Sequence, residues 1–314
     1  MIKKNRNREA YSFANINLLG KCNAKCFFCL GEDIPELLTL HNQVNIHFSQ
    51  WNNFTAFLDK CRFEGIQNIY ITGQNTDSLL YRHLEELIDH LQALGFKVGI
   101  RTNGYLFEKN PDLIRVANKC KASVGMSIHS LDPETNYKIM GRKHIPDWKN
   151  IIPQLKQVRV AIVVNRYNWK EFFSIVSTIA YYNILGKGNI KYVQARRIST
   201  DTRYDQFKED IDIYENFLDN TIAKNFPRVG VFYTADVYKI AGMEVSFWRT
   251  VQTSVNSVNY FTDGTISGDY FVVEGYVKNL KKSEETMDAV ANYAKISGIP
   301  IVTATQNKAM VKNV

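Results

Sequence analysis

Six short apolar or β-branched runs alternate with longer segments of helical period between residues 12 and 198, and that alternation leaves few folds open. The runs are SFANINLL (12–19), NIYIT (68–72), KVGIRT (97–102), ASVGMSI (122–128), VRVAIVV (158–164) and IKYVQAR (190–196). Between them the apolar spacing predicts helices near 49–64, 79–94, 111–119, 147–156 and 169–182, the second stopping at Gly95. Parallel strands need such crossovers, so the chain reads as α/β, either a doubly wound sheet or an open, partial barrel of six βα units. In both, ligands gather at the C-terminal ends of the strands. The unusual polar residues fall there: three cysteines after the first strand, TGQNTD, TNG and SIHS after the next three, Asn165 after the fifth and RRISTDTR after the sixth.

After residue 200 the pattern changes to a helical stretch (205–224), a strand-like VGVFY (229–233) and VNYFTDGTISGDYFVVEGY, where Asp263-Gly264 marks a hairpin turn. A final helix and strand are predicted within KKSEETMDAVANYAKISGIPIVTAT. The expected division is a basic tail (1–11), the barrel (12–200) and an α+β extension (201–314) packed over the substrate side. The chain of 314 residues is 45% hydrophobic, enough for a large core, and no apolar run reaches the length of a membrane span, so the expected setting is the cytoplasm, without a membrane partner. A formal charge of +8 favours an acidic ligand, although the basic residues are spread out and the KKNRNR cluster reads as a solvated tail.

Five cysteines make a poor disulfide framework, and Cys61 and Cys120 sit in apolar-periodic segments as structural thiols. The other three, Cys22, Cys26 and Cys29, are spaced C-x-x-x-C-x-x-C within GKCNAKCFFCLGE. Three thiolates so close can hold three irons of a [4Fe–4S] cubane and leave the fourth without a protein ligand. A structural zinc site wants four ligands, and His41 is the nearest further candidate; zinc or an inert coincidence are the alternatives.

With Phe28 at its aromatic position, this motif on the loop after a first strand resembles the radical S-adenosylmethionine (SAM) superfamily, over roughly residues 12–200. The resemblance implies a partial (β/α)6 TIM-type barrel, with SAM chelating the open iron. An electron from the cluster then cleaves SAM, and the 5′-deoxyadenosyl radical takes a substrate hydrogen. The family's Gly-Gly-Glu-Pro stretch is replaced here by Thr72-Gly73-Gln74-Asn75-Thr76-Asp77, so Gly73 offers backbone access while Gln74, Asn75 or Asp77 takes over the amino group. Thr102-Asn103-Gly104 and Ser127-Ile128-His129-Ser130-Leu131-Asp132-Pro133-Glu134 are similar to the molybdopterin-precursor cyclase branch, with Thr102, Asn103 and Ser127 as cofactor contacts and His129 in place of the usual Asp. His129 is expected as a ribose or substrate contact or a proton donor, and Asn165 near adenine or ribose.

The substrate is expected at the sixth strand and the extension. Alternation lets only one of Arg196 and Arg197 face the interior, and Arg196 is the candidate; Tyr270 and Tyr276 are candidate hydrogen-atom or proton donors. Without a further cysteine cluster in 121–314, auxiliary clusters are not expected. The reading is a radical SAM enzyme that cyclises, rearranges, epimerises, dehydrates or joins carbons of a small anionic nucleoside, nucleotide or sugar phosphate, fed by a flavodoxin or ferredoxin. The alternatives are modification of tRNA or a ribosomal peptide, nucleic acid being less favoured for want of an RNA-binding module, and a non-catalytic iron–sulfur module.

Overall fold

Each of the six predicted runs forms a strand, and the parallel order follows from the helices between them. The computed structural model describes residues 13–200, 202–250 and 257–278. In chain order the barrel comprises β1 (Phe13–Leu19), α1 (Pro35–Leu40), α2 (Phe54–Phe63), β2 (Asn68–Gln74), α3 (Leu84–Ala93), β3 (Lys97–Thr102), α4 (Tyr105–Lys109) and α5 (Asp112–Ala117). It continues with β4 (Val124–Ser127), α6 (Pro133–Met140), α7 (Trp148–Ile151), β5 (Val158–Val163), α8 (Phe172–Leu185) and β6 (Ile190–Arg196). Then come α9 (Lys208–Asn216), a π-helical turn (Phe217–Ile222), α10 (Ala223–Asn225), β7 (Arg228–Phe232), β8 (Ala235–Ile240), β9 (Met243–Trp248), β10 (Ser257–Phe261) and β11 (Ile266–Ser267).

The strands lie in one sheet, ordered β11-β10-β1-β2-β3-β4-β5-β6-β9-β8-β7, that does not close. β1 to β6 are parallel, and β10 joins β1 while β9 joins β6, both also in parallel. Part of the segment after residue 200 therefore prolongs the sheet at both edges, beyond packing over it. The β10–β11 pair is the hairpin expected at Asp263-Gly264, with Gly264 at φ +108°, where an L side chain is strained. The basic tail and the predicted last helix and strand lie outside the described residues.

Alternation divides each strand's side chains. Ile16, Leu18, Ile69, Ile71, Val98, Ile100, Val160 and Ile162 are fully buried against the helices, together with Leu87, Ile88 and Leu91 of α3 and Ile175, Val176 and Ile179 of α8. Each such side chain contributes roughly 1.5–3 kcal/mol of transfer free energy, so this layer fixes the register. Asn15, Asn17, Tyr70, Thr72, Arg101, Gly125, Ser127, Arg159 and Arg196 take the other parity, toward the interior. Cys61 and Cys120 are in or against the apolar layer, as their sequence context predicts, and burial raises both thiols to about 12.

Two predicted helices start late for local reasons. The 79–94 segment begins as a 3-10 turn (Ser78–Leu80) capped by Asp77, and extended Tyr81 separates it from α3. In 49–64, Asn53 adopts φ 56° and confines α2 to the second half. The helix expected at 169–182 is displaced to Phe172–Leu185. Sequence reading passed over α6, whose Asp132 caps the Thr135 N–H and whose Gly141 ends it at φ +66°.

Candidate active site

The cysteine loop leaves β1 at Leu19 and is pinned on two sides. On one side the last carbonyls of α6 have no partner within their helix and accept from the loop, Met140 O from Lys25 N at 2.9 Å and Ile139 O from Phe27 N at 3.1 Å. Arg142 Nε donates to Asn23 O at 2.6 Å from the same direction. On the other side Arg203 donates to Phe27 O at 2.9 Å and Cys29 O at 2.5 Å while pairing with buried Asp33. Arg203, from the loop after β6, is thus a clamp on the cysteine loop. Its place in RRISTDTR was visible in the sequence, but the long-range partner was not.

Cys22, Cys26 and Cys29 are half-buried, and Cys22 and Cys26 pack with Phe27 and Phe28 against Ala24, Tyr105, Ile139 and Met140. Burial pushes the Cys22 thiol up to about 12 and Cys26 well above the usual thiol range, the neighbouring cysteines and Asp77 adding to the rise. Backbone N–H groups oppose this at two sulfurs: Ala24 and Asn23 at Cys22, Gly31 and Asn75 at Cys29. The Asn103 amide adds a donor to Cys22 Sγ at 3.7 Å. Three thiolates in a low-dielectric pocket beside a carboxylate are unfavourable without a compensating cation, and N–H···S donors are what tune an iron–sulfur cluster. The donor set fits a cluster held by these three residues.

The loop after β2 touches the cysteine loop closely: a Cβ on Gly31 would lie 2.5 Å from Asn75 N, and Asn75 itself adopts φ 55°. A Cβ on Gly73 would meet Thr76 O at 2.1 Å, so this glycine is demanded by the turn itself. Asp77 is buried and accepts from Thr102 Oγ1 (2.7 Å), Asn103 N (2.7 Å) and Leu79 N (3.0 Å). Burial raises its pKa while these three bonds hold it down. Thr102 in turn accepts from Gly104 N at 2.9 Å, and Asn103 Nδ2 donates to Asn23 Oδ1 at 2.7 Å. Gln74 Nε2 donates to Asn17 Oδ1 at 3.3 Å, and Asn75 Nδ2 to Thr39 Oγ1 at 3.4 Å.

Asn165 is fully buried and closes its own turn, donating to Val163 O at 2.8 Å and accepting from Tyr167 N at 2.9 Å. Its neighbour Asn168, which sequence reading passed over, donates to His129 O at 2.7 Å and Val163 O at 2.9 Å.

His129 is buried, edge-on to Phe28 with centroids 5.1 Å apart, and its Nδ1 accepts from Val163 N at 3.1 Å. The ring proton is therefore on Nε2. Burial, then Arg196, lowers its pKa to about 3, so the imidazole is neutral. Thr72 and Ser127 share the interior parity and make no side-chain hydrogen bond among the described residues.

On the interior face of β3, β5 and β6 lie Arg101, Arg159 and Arg196. β3, β4 and β5 put Arg101, Gly125 and Arg159 side by side, and a Cβ on Gly125 would be 2.8 Å from an Arg159 terminal nitrogen and 3.4 Å from Arg101 Cγ. The Arg101 guanidinium lies 4.7 Å from the Tyr70 ring centroid. Burial and then Arg159 lower Arg101 to about 9 and Arg196 to about 10, with Tyr270 near both and opposing the fall. Arg197 faces the other way and pairs with Glu215 at 2.8 Å, as alternation requires. Tyr276 does not join this group: its hydroxyl meets His41, and its ring lies 5.3 Å from Phe261 in a separate apolar cluster. Sequence reading missed Arg101 and Arg159, whose signal was a lone charge at an interior position of two otherwise apolar strands.

Known proteins resemble this arrangement at the level of fold and motif. GTP 3′,8-cyclase of Aquifex aeolicus (strain VF5) is 24% identical over 195 residues, covering 60% of this chain and 58% of that protein. The antilisterial bacteriocin subtilosin biosynthesis protein AlbA of Bacillus subtilis (strain 168) is 29% identical over 130 residues, covering 41% of this chain and 27% of that protein. The chain thus spans little more than half the length of one of these relatives and about a quarter of the other. The crystal structure of Streptococcus suis SuiB bound to precursor peptide SuiA superposes with a TM-score of 0.53 at 14% identity, over 84% of this chain and 61% of SuiB, which bears on fold alone. The family model of the radical SAM superfamily matches residues 16–172, half of the 314 residues and the stretch that carries all three loop cysteines, and the chain belongs to that superfamily.

Proposed function

We propose that this chain is a radical SAM enzyme that holds a [4Fe–4S] cluster on Cys22, Cys26 and Cys29 and acts on a small anionic substrate inside the barrel. The observation that carries the reading is the pairing of a pinned, cation-demanding cysteine loop with arginines on the interior face of β3, β5 and β6. When bound, cluster and SAM supply one-electron reduction and a radical able to take a hydrogen atom from carbon.

The residues of the chain do the positioning. Asp77 holds the β2 and β3 loops in one frame, leaving the turn at Gly73 to Thr76 and the Thr72 and Ser127 hydroxyls to face SAM. Neutral His129 offers its Nε2–H as a hydrogen-bond donor; with a pKa near 3 it is a contact to ribose or substrate, and it holds no transferable imidazolium proton near neutrality. Phe28 and Phe27, with Phe207 and Ile198, exclude water beside the cluster loop. Tyr270 reaches the arginines from the segment after residue 200, which supports that segment as the cover of the substrate side. An external reductant of the flavodoxin or ferredoxin class would feed the cluster.

The names of the bacteriocin relative and of SuiB favour a peptide substrate as the second reading. The primary test is anaerobic reconstitution followed by dithionite and SAM. Wild-type protein yields 5′-deoxyadenosine, and Cys22→Ala, Cys26→Ala and Cys29→Ala each lose iron, visible absorbance and product. Cleavage retained by any of the three overturns the assignment.

A further inference from the structure

A cationic side chain in a protein interior normally has a carboxylate or a set of carbonyls beside it, because an uncompensated buried charge is costly. Among the described residues no carboxylate lies within ion-pair distance of Arg101 or Arg196, and the Nε atoms of both are buried without a hydrogen-bond partner. Six other arginines, Arg115, Arg166, Arg197, Arg203, Arg228 and Arg249, are each paired with Asp or Glu. Among the described residues, no Asp or Glu is placed at these two.

The backbone also makes room for them. Gly99 and Gly125 occupy interior positions of β3 and β4, where a Cβ would strike the Tyr70 ring at 2.7 Å and the Arg159 guanidinium at 2.8 Å. Tyr70 and the arginine stems thus lie across the two glycines, and the Arg101 guanidinium rests 4.7 Å from the Tyr70 ring centroid, a cation–π contact that helps to hold it in place. Arg196 comes from the end of β6, two strands past Gly125, and Tyr270 stands near both Arg101 and Arg196.

We infer that Arg101 and Arg196, with Arg159 beside them and Tyr270 over them, form a seat for a phosphate dianion, so that the substrate is a small molecule bearing a phosphate monoester or a terminal di- or triphosphate. The inference rests on the reading that the interior of the barrel receives the substrate, and it narrows that substrate's class. Two guanidiniums without a carboxylate are neutralised by two negative charges converging on one tetrahedral group, which also offers enough oxygens to accept from both forks. A peptide brings single carboxylates, and a nucleic-acid backbone brings phosphodiesters of one charge each; neither matches this pair. Burial first, and then the neighbouring Arg159, lower the ionisation of Arg101 and Arg196, and such a ligand offsets both.

Binding can be read without turnover. Reconstituted holoprotein is titrated calorimetrically at pH 8 with inorganic phosphate, pyrophosphate, dimethyl phosphate and acetate at constant ionic strength. The expected result is saturable binding of phosphate and pyrophosphate, with dimethyl phosphate and acetate much weaker. Arg101→Met and Arg196→Met each weaken phosphate binding by about tenfold or more, whereas the exposed Lys191→Met does not. Gly125→Leu, which keeps every charge but fills the shelf beneath Arg159 and Arg101, also weakens it. Equal binding of all four anions, or phosphate binding unchanged in both arginine variants, overturns the seat; tighter binding of acetate or dimethyl phosphate moves the substrate to a carboxylate-bearing or phosphodiester class. Circular dichroism of each variant reports folding, and 5′-deoxyadenosine production without substrate reports SAM cleavage separately. Loss of phosphate binding with SAM cleavage intact therefore speaks only to the seat, and loss of cleavage in the wild-type protein only to the radical SAM reading.

Discussion

The rim of the barrel and its interior treat polar side chains in opposite ways. At the rim, Asp77, Thr102, Asn103, Asn165 and Asn168 spend their hydrogen-bonding capacity on neighbouring loops. In the interior, among the described residues, Arg101 and Arg196 have no carboxylate beside them, and Thr72 and Ser127 make no side-chain bond. Residues that look like cofactor contacts in sequence thus serve first as framework, holding backbone groups where a cofactor meets them. The groups left over point to the barrel interior, where SAM or a substrate would satisfy them. A framework residue should cost stability when removed, and a ligand-facing one should not.

The largest effect separating the two regions is expected at Asp77. Asp77→Ala leaves the Thr102 hydroxyl and the Asn103 and Leu79 N–H groups without their acceptor in a buried place, each a desolvated donor. The expected loss is about 3 kcal/mol in urea unfolding, with reduced iron retention because Asn103 no longer reaches Cys22 and Asn23. A change below about 1 kcal/mol would mean that the β2 loop is held by something else and that Asp77 is free for the cofactor.

His129 stands at the boundary between the regions, with one nitrogen in the framework and one facing the site. Its pKa is about 3 in the fold against an ordinary 6.5, so between these values the unfolded chain takes up a proton that the folded protein refuses. Stability falls as pH drops from 6.5 toward 3, and below 3 the loss is complete. At pH 5 the wild type is expected to lose about 2 kcal/mol relative to pH 7.5 on this account, and His129→Gln to lack that component. Parallel pH profiles for wild type and variant would place His129 in open water and not in the sealed interior.

How much of this was legible in the sequence differs along the same divide. The six strands and the hairpin at Asp263-Gly264 could be read because period-two burial and turn chemistry are local. The late start of α3 could not, because it depends on Asp77 capping Leu79, a choice also governed by Thr102 and Asn103 25 residues or more away. The cysteine loop announced itself by spacing, yet its clamps, Arg142 and Arg203, are separated from it by more than a hundred residues. Arg101 and Arg159 were written in plain view as charges on interior strand positions. Their meaning appeared only when β4 placed Gly125 between them. Tyr270 and Tyr276 look alike in an aromatic run, and only packing sends one toward the arginines and the other onto Phe261.

The smallest effect is the sharpest test of the comparison, because its sign is opposite. Arg101→Met and Arg196→Met keep most of the aliphatic packing and remove a half-buried cation that no carboxylate among the described residues offsets. In the absence of ligand each is expected to leave the protein equally stable or to stabilise it by about 1 kcal/mol, measured as a rise in urea midpoint at constant m-value. The double variant should gain less than the sum, since removing the first charge already relieves the second. Adding phosphate should reverse the order, stabilising the wild type more than either variant. If either single variant instead lost about 3 kcal/mol or more, as a framework residue would, these arginines would belong with Asp77, and the interior would have to be read as structure.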